Sequence, residues 1–151
     1  MSALLPSLVR GVRLDDVPEL VALCRQLGYR AEERAMHDRV DRLMSRPLVH
    51  RVVVVPSPGN DRRLQGALHA TRREVLESDD FVEISGLIVD ERERRAGVGR
   101  ALVQAAERWA RDLGVGAVRL RSNAIREEAH VFYQRLGFRV LKEQVAFVKE
   151  L

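Results

Sequence analysis

Leu87-Ile88-Val89-Asp90-Glu91-Arg92-Glu93-Arg94-Arg95-Ala96-Gly97-Val98-Gly99-Arg100 decides how the rest of this chain is read. Its first three residues end a β-branched, apolar run, Phe81 to Val89, that predicts a strand. Its last residues open the best helical pattern in the chain, Gly97 to Leu113, with Val98, Leu102, Ala105, Ala106, Trp109 and Leu113 on one face. Between them lie two glycines, which let backbone approach a ligand closely and adopt dihedrals other residues avoid. A helix start leaves N–H groups unpaired and carries partial positive charge, and Arg92, Arg94, Arg95 and Arg100 add full charges around it. Strand, glycine turn and helix N-terminus together predict an anion site, with a pyrophosphate as the expected guest.

The spacing narrows the guest. A P-loop requires G-x-x-x-x-G-K-[ST], and no lysine follows Gly97 and Gly99. The dinucleotide fingerprint G-x-G-x-x-G fails because Leu102 stands at the third glycine position. What remains is R-x-x-G-x-G, Arg94 to Gly99, directly after a strand.

Outward from that stretch the elements alternate. Leu8 to Arg13 predicts a first strand, and Asp15 or Asp16 can cap a helix through Leu27, with Pro18 in its first turn and Gly28 as its stop. Val17, Leu20, Val21, Cys24 and Leu27 supply its apolar face. A second helix spans Glu32 to Met44, with Met36, Val40, Leu43 and Met44 inward. Val52 to Val55 and Leu64 to Thr71 form a hairpin across a turn-rich Pro56 to Asp61. After the long helix come a strand at Ala117 to Ser122, a short helix at Glu127 to Leu136, and strands at Phe138 to Leu141 and Gln144 to Lys149. The order β-α-α-β-β-β-α-β-α-β-β predicts a single α/β domain over residues 1–151, core from about residue 8, with a mixed, mostly antiparallel sheet flanked by helices.

A second motif lies one helix and one strand downstream. Ser122-Asn123, Arg126, Ala129, His130, Phe132-Tyr133 and Leu136-Gly137-Phe138 follow at fixed spacing. Together with R-x-x-G-x-G it resembles the paired motifs of the GCN5-related N-acetyltransferase (GNAT) superfamily. The resemblance is strongest from Glu83 to Phe138 and weak before Gly66. One departure is Arg95, where many members carry glycine.

The resemblance implies acetyl-coenzyme A as cofactor and acetyl transfer to an amine by direct attack in a ternary complex. It implies that Leu87, Ile88 and Val89 hold the pantetheine arm through main-chain groups. Arg94, Arg95, Ala96, Gly97, Val98, Gly99 and Arg100 would hold the pyrophosphate, and Asn123 would reach the pantetheine amides. Tyr133 matches the tyrosine whose hydroxyl faces the coenzyme sulfur, against the alternative of core packing. Glu83 matches a glutamate that histone-type members use as general base, against the alternative of a solvated or arginine-paired carboxylate. Were the strand at Phe81 to Val89 regular, Glu83, Ser85 and Leu87 would share a face, but the family's bulge there could turn that face around. Tyr29 falls where the acceptor pocket is often lined, and His130 reads as structural. A homodimer is the expected assembly.

Composition sets the outer limits. Apolar residues make up 46% of 151, which suits a folded globular chain. The N-terminus lacks a charged leader before a long apolar stretch, and no run approaches the ~20 residues of a membrane span. The lone Cys24 can form no internal disulfide, so a reducing cytoplasm is the expected compartment, and it reads as a core residue rather than a nucleophile. The four histidines, His37, His50, His69 and His130, show no metal-ligand spacing. The net charge of +4 raises nucleic-acid binding as a rival. Interleaved acidic residues and only one Trp, two Tyr and four Phe for base stacking argue against it. A non-catalytic coenzyme A-binding regulatory module is the other rival. The acceptor stays open between a small-molecule amine and a protein amine.

Overall fold

In the computed structural model, which describes residues 8–122 and 126–151, the chain forms two compact units, Met1–Leu120 and Arg121–Leu151. The first holds five strands in the order β1-β2-β3-β4-β5: β1 (Arg10–Gly11), β2 (His50–Ser57), β3 (Asn60–Val75), β4 (Ser78–Val89) and β5 (Val118–Leu120). The first four run antiparallel and β5 joins β4 in parallel, giving the mixed sheet that the sequence predicts. Three helices accompany it: α1 (Val17–Gln26), α2 (Glu33–Met44) and α3 (Val98–Leu113).

The sheet sorts its residues by parity. Val54, Leu64 and Ala67 pack with Val17, Leu20, Val21, Leu23 and Val40 of α1 and α2. Gly66, one residue from Ala67, faces the other way, against Val98 and Leu102 of α3. The α1–α2 pair and α3 therefore cover opposite faces. α3 buries Ala101, Leu102, Val103, Ala105 and Ala106, a stripe whose small residues allow close approach to the strands. Gly114, in the left-handed conformation at φ 77°, ends it.

Two local readings differ from expectation. Asp16 precedes α1 without capping it: its buried carboxylate is held by both terminal nitrogens of Arg10, each at 2.9 Å, and accepts from the Arg13 N–H at 2.7 Å. A buried charge needs such pairing more than the helix needs the cap, and the arrangement pins β1 to the start of α1. On α1 it is Leu23 that is buried, while Leu27 is exposed and Cys24 half-buried. On α2, Met44 is likewise exposed.

The second unit carries α4 (Glu127–Arg135), closed by Gly137 at φ 95°. Tyr133 meets the rings of Phe132 and Phe138 edge-on, at centroid distances of 5.2 and 5.9 Å. The two closing strands expected at 138–141 and 144–149 are not formed within this unit. A strand requires a hydrogen-bonded neighbour, and these segments do not pair with each other inside 121–151. No helix among the described residues is long and apolar enough to cross a membrane.

Gly66 offers a direct check on how closely α3 seats. A Cβ there would lie 2.8 Å from the Ile88 carbonyl oxygen, 2.9 Å from Val98 Cγ1 and 3.1 Å from Leu102 Cδ1. Because one of those atoms is backbone, Gly66→Ala should destabilise the protein by about 1–3 kcal/mol in urea unfolding. An unchanged midpoint would mean that α3 sits farther from the sheet.

Candidate active site

The site is built where β4 outruns its neighbour. β4 pairs with β5 only at Val82–Val118, Glu83–Arg119 and Ile84–Leu120. Beyond Ile84 it continues to Val89 beside β3, and among the described residues of this unit no strand pairs with its other edge. Unpaired strand backbone of this kind accepts a further extended segment. Leu87, Ile88 and Val89 lie on that stretch.

The expected bulge is present and falls at Ser85. His69 pairs with Gly86 and Ala70 with Ile84, so Ser85 is an extra residue on β4. Glu83 is opposite Thr71 while Leu87 is opposite Leu68. Three residues separate those partners, so Glu83 and Leu87 point to opposite faces; a regular strand would have put them together. Glu83 shares with Ser85 the face that α1 and α2 cover farther along. There it is mostly buried, at 15% side-chain exposure, with Arg73 Nη1 at 3.7 Å. Arg119, its partner on β5, stacks its guanidinium over Phe81 at 4.0 Å.

Asp90 fixes the exit from β4. Its N–H donates to Gln65 C=O at 2.8 Å, and its own C=O accepts from Glu93 N–H at 2.8 Å. Its buried carboxylate accepts from Arg92 backbone N–H at 2.9 Å and from the guanidinium at 3.0 and 3.2 Å. Those Arg92 hydrogen bonds outweigh burial and hold the acid down at about pKa 2. Glu91 N–H is tied to Gln26 of α1 at 3.1 Å. Arg92, one of four arginines read as framing the loop, is thus spent on the corner. Asp90 was legible only as the residue that ends the strand.

Arg94, Arg95 and Arg100 are exposed beside the turn into α3. Arg95 and Gly97 are both left-handed, at φ 67° and 84°. The first helical hydrogen bond runs from Ala101 N–H to Gly97 C=O at 3.0 Å, so the N–H groups of Val98, Gly99 and Arg100 precede the ladder. The two left-handed residues, the N–H groups ahead of the helix and three exposed guanidiniums suit an anion such as a pyrophosphate. This segment carries the loop residues Arg94 to Arg100 singled out in the sequence, while Arg92 is held by Asp90. Asn123 lies outside the described residues. Tyr133 belongs to the second unit, where it is half-buried, and burial raises its hydroxyl pKa above the ordinary phenol value.

Sequence spacing missed one group altogether. His50 Nδ1 lies 3.0 Å from His69 Nε2, and Thr71 Oγ1 lies 3.3 and 3.2 Å from those two nitrogens and 3.1 Å from Ser85 Oγ. His50 is 19 residues from His69, a separation that carries no motif; only the β2–β3 register makes them neighbours. Tyr29 is 66% exposed beside a shallow depression that Arg25, Arg30 and Arg39 also line.

The left-handed Arg95 explains why its position favours glycine. A side chain there costs ~1–2 kcal/mol, partly offset because glycine loses more freedom on folding. Arg95→Gly should therefore raise thermal unfolding stability by roughly 0.5–1 kcal/mol. A loss of stability would mean that the Arg95 side chain makes contacts that repay its strain.

The model of the acetyltransferase (GNAT) family matches residues 50–138. No curated protein matches the chain. Among solved structures, glucosamine-6-phosphate N-acetyltransferase from Arabidopsis thaliana superposes with a TM-score of 0.82 at 17% identity, over 94% of this chain and 97% of that one. The aminoglycoside 6'-N-acetyltransferase AAC(6')-IG from Acinetobacter haemolyticus gives 0.78 at 20%, over 95% and 98%. AAC(6')-Iy, in complex with the bisubstrate analog CoA-S-monomethyl-acetylneamine, gives 0.81 at 18%, over 95% and 97%. At such identities these likenesses establish the fold, and the family match spans more than half of the sequence. This chain belongs to the GNAT acetyltransferase family.

Proposed function

We propose that this protein transfers an acetyl group from acetyl-coenzyme A to the primary amine of a small molecule. The observation that carries the reading is the open edge of β4 running straight into the Arg94–Arg100 turn, which fits an extended arm ending in a pyrophosphate. Leu87, Ile88 and Val89 hold the arm by main-chain groups, and Asn123 adds a side-chain amide. The N–H groups of Val98, Gly99 and Arg100 bind phosphate oxygens, with Ala96 and Gly97 shaping the approach and Arg94, Arg95 and Arg100 supplying charge. When bound, the coenzyme supplies a thioester-activated acetyl group.

The chain's own residues manage protons. An alkyl ammonium has a pKa near ~10.4, so at neutral pH the acceptor must lose a proton before it attacks. We assign that role to Glu83, on the face beside the bulge, against the alternative that it serves as the partner of Arg73, whose Nη1 is 3.7 Å away. Tyr133 stays protonated because burial raises its pKa, and we assign its hydroxyl to hydrogen-bond the departing sulfur, although the raised pKa makes it a weaker acid than a free phenol. Burial also raises the Cys24 thiol, which disfavours a thiolate and an acyl-enzyme route. The amino-sugar acceptors in the names of two similar structures support a small-molecule amine over a protein amine.

Acetyl-coenzyme A should raise the melting temperature, since it binds only the folded chain. Gly97→Asp should abolish that shift by setting a carboxylate against the phosphates. Wild-type protein should release free thiol when offered amines. No melting shift at millimolar coenzyme would sink the reading, and a shift without thiol release would favour a non-catalytic module.

Tyr133→Phe removes one hydroxyl and keeps the ring. Turnover should drop by ~10²-fold or more with coenzyme binding intact. Wild-type turnover with a lowered melting point would assign Tyr133 to packing.

A further inference from the structure

We propose that a second pocket, between the C-terminal half of α3 and the β1–β2 edge of the sheet, binds a small phosphate monoester that carries a flat ring. The inference stands apart from the acetyl-transfer reading, because none of its residues belongs to the open edge of β4 or to the turn into α3.

The pocket follows from where the sheet ends. Val54 packs toward α1 and α2, so its neighbour Val53 and, two residues back, Arg51 lie on the face that α3 covers. Beyond β2 the sheet has only Arg10 and Gly11 of β1, and Gly11 is the register partner of Val53. A Cβ on Gly11 would meet no atom within 4 Å, so the floor stays open there. On α3, Ala105, Arg108, Trp109 and Asp112 recur at helical spacing and form the facing wall. The space between has a volume of about 400 Å³, within the range of small-ligand pockets.

Its chemistry selects the ligand. Arg51, Arg108 and Arg111 are exposed around the pocket and make no ion pair or hydrogen bond with a side chain among the described residues. Arg10, which also lines it, is committed to Asp16 and Asp61. Three unmatched guanidiniums face the single carboxylate of Asp112, leaving an excess of two positive charges. A phosphate monoester is close to a dianion at neutral pH and matches that excess better than a monocarboxylate does. Guanidinium forks also pair with phosphate oxygens two at a time. Trp109, half-buried, gives the pocket one flat apolar wall against which a ring can stack. Without a ligand the like charges repel one another, and a bound dianion removes that repulsion.

Trp109 is the chain's one tryptophan, so its fluorescence reports on this pocket alone. The full chain is titrated with phenyl phosphate and with adenosine 5'-monophosphate, which separate an aryl from a nucleoside source. At least one should change the emission saturably, in the millimolar range or tighter. Phenol, adenosine and inorganic phosphate should each bind at least about tenfold more weakly than that monoester. Arg51→Gln and Arg108→Gln should each weaken it about tenfold at an unchanged melting temperature. Gly97→Asp, which blocks the turn into α3 at the other end of the helix, should titrate as the wild type does.

Inorganic phosphate binding as tightly as the monoesters would mean an adventitious ion only and would overturn the pocket. So would an unsaturable response, or wild-type binding by both arginine variants. A response lost in Gly97→Asp but kept in Arg51→Gln would put the ligand at the coenzyme turn and overturn it too. None of these results bears on thiol release from acetyl-coenzyme A, so the two readings fail separately.

Discussion

Everything distinctive in this molecule follows from a parallel pairing that stops early. β4 and β5 share three residue pairs and then part after Ile84 and Leu120, while β4 continues beside β3 to Val89. Backbone N–H and C=O groups are obligatory hydrogen-bonding groups, so a strand left with one side open in a folded sheet calls for an occupant. The bulge at Ser85 sits at the point of parting and adds local twist there. It also decides which side chains share a face: Glu83 and Ser85 do, and Leu87 turns to the other.

The corner after β4 shows how a few buried charges hold this geometry. Asp90 collects the Arg92 guanidinium and backbone, and Gln26 reaches from α1 to the next residue. Asp16 and Arg10 do the same at the entry to α1. In both places a carboxylate is almost wholly removed from water and held by an arginine guanidinium. Such pairs add less to stability than to position, since desolvation cancels much of their attraction. What they fix here is where β1 meets α1 and where the turn into α3 begins.

The elements were legible because their signals are local. The α3 stripe, its glycine stop and the R-x-x-G-x-G turn are read from neighbours in sequence, and they reappear within a residue or two. Strand ends are the least legible: β1 and β5 are shorter than the sequence suggests, and β3 is longer, because Asn60 and Arg72 to Val75 are strand residues only by virtue of their partners. The face of Leu87 was open in the sequence for the same reason, since a bulge is a property of two strands. The His50–His69–Thr71 cluster was invisible, because register rather than spacing brings it together. Of Asp15 and Asp16, the two candidate caps, Asp16 stands at the cap position, but its carboxylate goes instead to Arg10 on another element. The left-handed Arg95 was visible only as a departure from glycine, and its φ of 67° supplies the physical cost of that departure.

Amide hydrogen exchange with and without coenzyme A tests the central claim most directly. If the open edge of β4 and the start of α3 hold the coenzyme, the amides of Leu87 to Val89 and of Val98 to Arg100 should gain protection at saturation. Amides of α2 and the β2–β3 turn should be unaffected by direct contact. Unchanged exchange at Leu87–Val89 and Val98–Arg100 with the coenzyme demonstrably bound would contradict the account, because the ligand would then be held elsewhere.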